Sequence, residues 1–186
     1  MSGSEIRVGE TVETPHVSID GVGVERNIEK MAAIAGRNGV ALRPHVKTHK
    51  IPAIARAQVE AGAAGITVAK VSEAEVMAEG GLDDIFIAYP LVAEAKIRRA
   101  LALSRRTRRL IVGVDSVEGA RRLSAAAGDH ALEVRLEVDT GLRRTGVAYD
   151  EAVELAREIH AFCNLDLGGI YTYRGAVLGG SPTLDR

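Results

Sequence analysis

The sequence has few of the residues on which several kinds of protein depend. Its 186 residues include one cysteine and no tryptophan, and aromatic residues make up 3%. A single cysteine excludes a disulfide framework or a cysteine-only metal site within the chain. So few aromatic residues argue against a stacking surface for single-stranded nucleic acid. Lys and Arg number 24 against 25 for Asp and Glu, so the chain also lacks the basic excess of a nucleic-acid-binding protein.

Long apolar runs are also absent from the sequence. None approaches the roughly 18 residues of a transmembrane helix, and the polar, acidic residues 1–14 lack the pattern of a signal peptide. We therefore expect a soluble protein of the reducing cytoplasm, without a membrane or nucleic-acid partner. Hydrophobic residues make up 46% of the chain and charged residues 26%, which is enough apolar material for a core and excludes a disordered chain.

Short apolar runs alternate with longer amphipathic segments along the chain. The runs are rich in Val, Ile or Leu and short enough to be strands; they cover residues 16–20, 42–46, 65–69, 84–89, 110–114, 132–139 and 167–173. The segments between them have helical spacing and cover residues 24–38, 51–61, 73–79, 93–104, 117–126 and 151–162. This alternation predicts an α/β protein with parallel strands and helical crossovers.

Two α/β architectures fit this order, a (β/α)8 TIM barrel and a doubly wound open sheet. Polar residues follow several successive strands, which is typical of a barrel, whereas an open sheet concentrates its site at one switch point. No GxGxxG or Walker-type loop follows any strand, which further favours the barrel. A barrel needs eight strands and about 250 residues. The sequence therefore predicts an incomplete barrel.

The first candidate site is the basic segment RPHVKTHK, residues 43–50. Period-two alternation places Arg43, His45 and Lys47 on one face of a strand. A lysine held beside other cations and partly out of water is the kind of amine that forms a Schiff base. A solvated basic turn is an equally good interpretation of the spacing alone. Lys70, at the end of another strand, is the second candidate amine.

Two further segments follow predicted strands. In residues 138–147, Asp139 ends a strand, and either Arg143 or Arg144 could point inward to bind an anion or a ring nitrogen; an exposed turn is the alternative. In residues 168–175, Tyr171 and Tyr173 share a face by alternation. Tyrosine there suits proton transfer or packing against a cofactor, and the alternative is ordinary core packing.

Taken in order, these segments resemble the D-serine dehydratase-like and D-threonine aldolase-like proteins, which are relatives of alanine racemase. The resemblance runs from about Thr14 to Arg186, and RPHVKTHK is its most specific motif. The pattern DTGxxRxG is shared more widely with alanine racemases. The segments that carry the resemblance are VSID (17–20), RNI (26–28), RPHVKTHK (43–50), GITVAK (65–70), SEAE (72–75), EVDTGLRRTGV (137–147) and GGIYTYRG (168–175).

The resemblance implies a barrel of the alanine racemase type that binds pyridoxal 5′-phosphate (PLP). On this basis residues 1–14 are an N-terminal tail, and residues 15–186 are a partial PLP barrel with about six barrel strands. The strand at 16–20 leads into the barrel and packs against a β-rich C-terminal domain in the family. That domain is absent from this chain, so we expect the chain alone to be inactive.

The resemblance also assigns the site residues. Lys47, rather than Lys50, is the Schiff-base lysine and the catalytic residue. Arg144 matches the arginine of DTGxxRxG at the mouth of the cofactor site, and Tyr173 lies where relatives have a His or Tyr near the cofactor. With His45 on the Lys47 face, these residues form the expected PLP site. No metal ligand is assigned within the chain, although a divalent metal is possible in the full-length protein.

The function implied is that of a PLP-dependent lyase acting on a D-amino acid or a D-3-hydroxy amino acid. D-serine ammonia-lyase and D-threonine aldolase are the two types, and a homodimer is expected for the full-length protein. The sequence does not choose between elimination, cleavage between the α- and β-carbons, and racemisation. An amino-acid racemase and a PLP-binding barrel without turnover are therefore the alternatives, together with a scaffold protein in which RPHVKTHK is a solvated surface.

Overall fold

A computed structural model describes Glu13 and residues 15–173 of the chain. Helices and strands alternate over most of this length. In chain order they are α1 (Gly21–Arg37), a 3-10 turn (Val46–Thr48), α2 (Pro52–Glu60), β1 (Ile66–Val68), α3 (Val71–Glu79), β2 (Asp84–Pro90), α4 (Glu94–Ser104), β3 (Arg109–Val114), α5 (Val117–Ala127), β4 (Leu132–Glu137), α6 (Ala152–His160) and β5 (Leu165–Tyr171).

The five strands form one parallel sheet in the order β1-β2-β3-β4-β5. One helix connects each strand to the next, because parallel strands need a crossover to run in the same direction. A doubly wound sheet reverses its strand order at a switch point, and the described residues show no reversal. The predicted α/β fold, part of a β/α barrel, is therefore confirmed.

The predicted leading strand over residues 16–20 is wrong. These residues form no strand, and Val17 and Ile19 are 92% and 53% exposed. Alternating apolar residues favour a strand only where a neighbouring strand supplies hydrogen bonds, and this segment pairs with no described strand. It serves instead to start α1, since the side chain of Asp20 caps the helix by accepting a hydrogen bond from Gly23 N at 3.0 Å.

The predicted strand over residues 42–46 is reduced to a single bridge between His45 and Thr67. The segment still lies along β1, because the carbonyl groups of Leu42 and Pro44 each accept a backbone hydrogen bond at 2.8 Å. Pro44 has no N–H group to donate in return, which prevents a regular ladder. The barrel wall therefore consists of this segment and five regular strands within the described residues.

The two faces of the sheet differ in chemistry. On the outer face, side chains such as Ile85, Val112 and Val134 are fully buried and pack against the helices in one apolar core. The alternate residues point to the inner, concave face, as period two requires. On β4 these are Glu133, Arg135 and Glu137. The inside of the barrel wall therefore combines the charged side chains of β4 with apolar ones such as Phe86 and Ile111, which are in register with Glu133. The helices on the outside supply most of the apolar burial.

Three other predictions depend on residues at the ends of the chain. The tail at 1–14 lies outside the described residues except for Glu13, and so do Arg174 and Gly175 of the third motif and the end of the predicted barrel at 186.

Among the described helices, none combines the length and the apolar composition that crossing a membrane requires.

Candidate active site

The predicted site residues meet in one cavity at the carboxyl ends of the strands. The cavity has a volume of about 240 Å³. Its wall includes all four of them, His45, Lys47, Arg144 and Tyr173, together with Arg43, Thr67, Phe86, Ala88, Tyr171 and Thr172. This is the end of a β/α barrel at which active sites are found.

Lys47 lies on the 3-10 turn that follows the bridge at His45. Val46 anchors this turn because its side chain is fully buried. Nδ1 of His45 accepts a hydrogen bond from Lys47 N at 3.4 Å, and Lys50 N closes the turn on the Val46 carbonyl group at 2.8 Å. The turn brings the Lys47 amine into the cavity, where Nζ lies 4.9 Å from the centroid of the Tyr173 ring.

The structure separates the three candidate lysines. Lys50 and Lys70 line a different cavity, beside Glu73 and the start of α3. The amine of Lys50 lies 3.6 Å from a carboxylate oxygen of Glu73, a residue that is 8% exposed. Of these three lysines only Lys47 belongs to the cavity with Arg144 and Tyr173.

Arg144 approaches the same tyrosine ring from another element. Its guanidinium carbon lies 5.0 Å from the centroid of Tyr173. A cation over an aromatic face at an exposed site contributes about 0.5–1 kcal/mol, so the ring attracts both side chains. Arg143, the adjacent arginine, does not line this cavity and has a φ of 58°. Of the two candidates, Arg144 is the arginine that faces inward.

Tyr171 lines the cavity with its ring, while its hydroxyl group points away. The hydroxyl donates a hydrogen bond to Oε2 of Glu137 at 2.8 Å, and the ring meets Phe86 edge to face at 4.9 Å between centroids. Burial, followed by the negative charge of Glu137, raises the pKa of Tyr171 far above its ordinary value. Because its hydroxyl group is bonded to Glu137, which does not line the cavity, Tyr171 is a poor candidate for the proton carrier considered from the sequence.

Sequence reasoning missed two residues that support the site, Gly113 and Glu137. A Cβ atom at Gly113 would lie 2.3 Å from the Tyr171 hydroxyl oxygen, so only glycine leaves room for that side chain. Glu137 is 3% exposed and belongs to the inner face of β4. The alternating charges along β4 were the available signal, since charged residues on one face of a parallel strand are unusual.

The electrostatics of the cavity favour an anionic ligand. Among residues 15–173, no acidic side chain lines this cavity or forms an ion pair with Lys47 or Arg144. Arg43 differs, because its guanidinium lies 2.7 Å from a carboxylate oxygen of Asp84. Burial, with the nearby charge of Lys47, lowers the pKa of His45. The neutral form of the imidazole is therefore favoured, and Lys47 and Arg144 are the basic side chains of this cavity that pair with no described carboxylate.

Two other features bear on alternative sites. A larger cavity of about 450 Å³ lies between α1 and α2, but its wall is mostly apolar and contains no lysine or arginine. Within the part of the chain that the structure describes, no group of three or more His, Cys, Asp or Glu side chains could hold a metal ion.

The fold and the cavity define a β/α barrel domain with an amine and a guanidinium at the carboxyl ends of its strands. The chain belongs to the family of the alanine racemase N-terminal domain, whose model matches residues 19–181. This membership confirms the resemblance carried by the sequence motifs.

Curated relatives make the family position more specific. The chain is 38% identical over 170 residues to a 3-hydroxy-D-aspartate aldolase of Paracoccus denitrificans strain Pd 1222, covering 89% of this chain and 44% of the relative. It is 39% identical over 171 residues to a D-threo-3-hydroxyaspartate dehydratase of Delftia sp. strain HT23, with the same coverage of 89% and 44%. The chain thus spans less than half the length of these curated relatives.

A solved structure shows the same relationship. The D-threonine aldolase from Filomicrobium marinum superposes with a TM-score of 0.81 at 38% identity, covering 86% of this chain and 44% of that protein. The fold of the described residues is therefore that of the corresponding part of a D-threonine aldolase.

Proposed function

We propose that this chain is the cofactor-binding part of a PLP-dependent lyase that acts on D-amino acids, D-3-hydroxy amino acids in particular. One observation carries the proposal: the amine of Lys47 and the guanidinium of Arg144 approach a single tyrosine ring, at 4.9 and 5.0 Å, inside a cavity at the carboxyl ends of the strands. The names of the relatives, an aldolase of 3-hydroxy-D-aspartate and a dehydratase of D-threo-3-hydroxyaspartate, support the choice of reaction class.

The residues of the cavity fit the chemistry of PLP. The cofactor carries an aldehyde, an aromatic ring and a phosphate group. The cavity offers an amine in Lys47, an aromatic surface in Tyr173 and a planar cation in Arg144. A guanidinium can bind two oxygens of an anionic group at once. The wall has no acidic side chain to repel the phosphate among the described residues.

Each of these side chains then has a distinct role. Lys47 would hold the cofactor through its amine nitrogen, and His45 orients the turn that carries Lys47 by accepting its backbone hydrogen bond at 3.4 Å. Arg144 would bind an anionic oxygen of the cofactor or substrate, and Tyr173 would offer an aromatic surface for the cofactor ring. When bound, the pyridoxal ring withdraws electrons and stabilises negative charge on the amino-acid α-carbon.

Reduction with borohydride tests the role of Lys47. The complete protein, as its gene encodes it, is mixed with PLP, reduced, digested and mapped by mass spectrometry. We expect a visible absorption band that disappears on reduction and added mass at Lys47. The variant Lys47→Ala should show neither. Lys50→Ala and Lys70→Ala are matched controls that should keep both, and label found on Lys50 or Lys70 would contradict the assignment.

Product analysis tests the reaction class. D-threonine, D-serine and 3-hydroxy-D-aspartate are supplied with their L-enantiomers as controls. An aldolase releases glycine from the first and third substrates, whereas a dehydratase releases ammonia and an oxo acid. Interconversion of enantiomers without either product would favour the racemase alternative. PLP attached at Lys47 without turnover of any substrate would favour a PLP-binding protein that is not an enzyme. The amino-acid substrate and a homodimeric state belong to the same proposal.

A further inference from the structure

The loop that carries Arg144 is held by carboxylates on both sides of that residue. We infer that Asp115, Glu137 and Asp139 are positioning residues that fix Arg144 in the cavity without bonding to its guanidinium. The inference rests on the proposed function, because it concerns how firmly an anionic cofactor is held. The loop is closed at its base by Val147, which bridges Val138. Val147 N donates a hydrogen bond to the Glu137 carbonyl group at 3.0 Å, and the Val147 carbonyl group accepts one from Asp139 N at 2.8 Å.

Asp139 holds the part of the loop before Arg144. Its Oδ1 atom accepts hydrogen bonds from Gly141 N at 2.9 Å and from Arg143 N at 3.1 Å. Arg143 has a φ of 58°, a left-handed conformation that is unfavourable for an arginine. The two backbone donors, Arg143 first, lower the pKa of Asp139. The carboxylate therefore stays ionised and keeps the strained residue next to Arg144 in place.

Glu137 holds the residue that follows Arg144. Its Oε1 atom accepts a hydrogen bond from Oγ1 of Thr145 at 2.8 Å, and its Oε2 atom accepts one from the Tyr171 hydroxyl at 2.8 Å. Because Glu137 is 3% exposed, both bonds are shielded from water. One buried carboxylate thus ties the Arg144 loop to the strand that leads to Tyr173.

Asp115 holds the next residue along. Its Oδ2 atom accepts a hydrogen bond from Gly146 N at 3.2 Å. Gly146 has a φ of 96°, and a Cβ atom there would lie 2.7 Å from Asp139 N, so the backbone passes too close for a larger residue. Asp115 follows β3 and Glu137 ends β4, so two neighbouring strands hold the same stretch of loop.

Because the loop is already held in this way, little of its conformational freedom remains to be lost when an anion binds. A long arginine side chain on a mobile loop loses conformational freedom on binding, which weakens affinity. A loop already fixed at the residues before and after Arg144 avoids most of that loss. None of the three carboxylates lines the cavity, so they act through Arg144 and not on the cofactor directly.

The test compares two glutamates of the same strand. Glu137→Gln removes the charge at the site end of β4. Glu133→Gln is the matched control, because Glu133 is also largely buried but pairs with Arg109 and Arg135 at the other end of the strand. The dissociation constant of PLP is measured on the complete protein by absorbance titration, and urea unfolding reports stability. We expect affinity to fall about tenfold in Glu137→Gln and less than about twofold in Glu133→Gln, even where both are less stable.

A second pair of variants covers the case in which Glu137→Gln folds poorly. Thr145→Val removes the hydroxyl that bonds Glu137 and should lower PLP affinity severalfold. Thr145→Ser keeps the hydroxyl and should restore most of it. The decisive measurement is Glu137→Gln in an Arg144→Ala background, where a residue that acts only through Arg144 has no further effect on affinity.

The possible failures are distinguishable. Equal losses in Glu137→Gln and Glu133→Gln, or an undiminished loss in the Arg144→Ala background, would overturn the positioning role while the proposed function stands. Wild-type protein that takes up no PLP, or that takes it up away from Lys47, would overturn the proposed function itself.

Discussion

Both ends of the concave face carry basic side chains, but the two ends arrange them differently. At the amino ends of the strands, Arg109 lies 2.7 Å from Glu133, which also accepts a hydrogen bond from Arg135 at 2.9 Å. Arg43, whose side chain also reaches the cavity wall, lies 2.7 Å from Asp84 at the start of β2. The charges alternate from one strand to the next. At the carboxyl ends, Lys47 and Arg144 approach the ring of Tyr173, and no described carboxylate pairs with either of them.

The difference follows from the cost of removing charge from water. A buried ion needs a partner of opposite charge, since the desolvation of an isolated ion costs several kcal/mol. At the amino-terminal end the protein itself supplies these partners, so the ion pairs there stabilise the fold. The carboxyl-terminal end leaves its cations beside an open cavity, where an anionic ligand can supply the missing charge. Barrels generally divide their two ends between stability and chemistry in this way.

The largest effect is expected on stability at the amino-terminal end. Arg109→Met leaves Glu133 and the buried Asp84 without one of their partners, and should lower the free energy of unfolding by about 2 kcal/mol. This figure lies below the range for fully buried pairs because Arg109 is 37% exposed. Lys47→Met breaks no ion pair among the described residues and should change stability by less than about 0.5 kcal/mol. Urea denaturation of both variants measures the difference. Equal losses would mean that the two ends do not differ in this respect.

The next effect concerns the two adjacent arginines of the loop. Arg144→Lys keeps the charge but loses the planar group that binds two oxygens, so PLP affinity should fall about tenfold. Arg143→Lys is the matched control and should change affinity by less than about twofold, because Arg143 does not line the cavity. The same absorbance titration applies to both. Similar affinities for the two variants would show that neither guanidinium contacts the cofactor.

A smaller effect is expected from the shared aromatic ring. Tyr173→Leu removes the surface that attracts Lys47 and Arg144 and should weaken PLP binding by about 0.5–1 kcal/mol, roughly two- to fivefold. Tyr173→Phe keeps the ring and should bind PLP nearly as well as the wild type. A large loss in Tyr173→Phe would instead point to a role for the hydroxyl group.

The smallest expected effect is a difference in the pH range over which groups at the two ends lose their contribution to stability. Burial, followed by the charge of Lys47, lowers the pKa of His45 from its ordinary value of 6.5, so the folded state favours the neutral form. Its contribution to stability is complete above pH 6.5 and is lost as the pH falls through the folded pKa. Hydrogen bonds from Arg109 lower the pKa of Glu133 from 4.5, so its contribution is lost only below pH 4.5. In both cases the free energy of unfolding falls as the pH falls, because the unfolded chain binds more protons than the folded chain.

Unfolding measured between pH 7 and pH 3 tests this separation. His45→Gln should flatten the loss of stability below pH 6.5, although part remains because burial also lowers the pKa of His49. Glu133→Gln should flatten the loss below pH 4.5 and leave the upper range unchanged. A change in the upper range caused by Glu133→Gln would contradict the assignment of each window to one end.

Much of the fold could be predicted from local patterns. All six predicted helices are present, because apolar spacing and glycine at the helix ends depend only on nearby residues. Gly128, for example, ends α5 with a φ of 58°. The strand at 16–20 was predicted from the same kind of pattern and is wrong, since a strand also requires a neighbour. The strand at 42–46 fails for a local reason, the missing N–H of Pro44, that the sequence did contain.

The site was predicted in part. The family resemblance, together with the alternation that puts His45 on the Lys47 face, predicted one site formed by His45, Lys47, Arg144 and Tyr173, and all four line the cavity. Neither reason indicated that the Tyr171 hydroxyl turns away toward Glu137, or that Gly113 makes room for it. Those contacts join three different strands, and no spacing within a single segment encodes them.

The sequence by itself determined the order of helices and strands, the apolar outer face of the sheet and the identity of the residues near the carboxyl ends of the strands. These follow from periodicity and composition, which act over a few residues. Spacing alone left the choice of lysine and of arginine open, and the family resemblance assigned Lys47 and Arg144. Only the tertiary structure decided that both side chains meet at the ring of Tyr173 and how the loop that carries Arg144 is held. Lys47, Arg144 and Tyr173 lie on separate elements, and their contact depends on the twist and register of the sheet that brings those elements together.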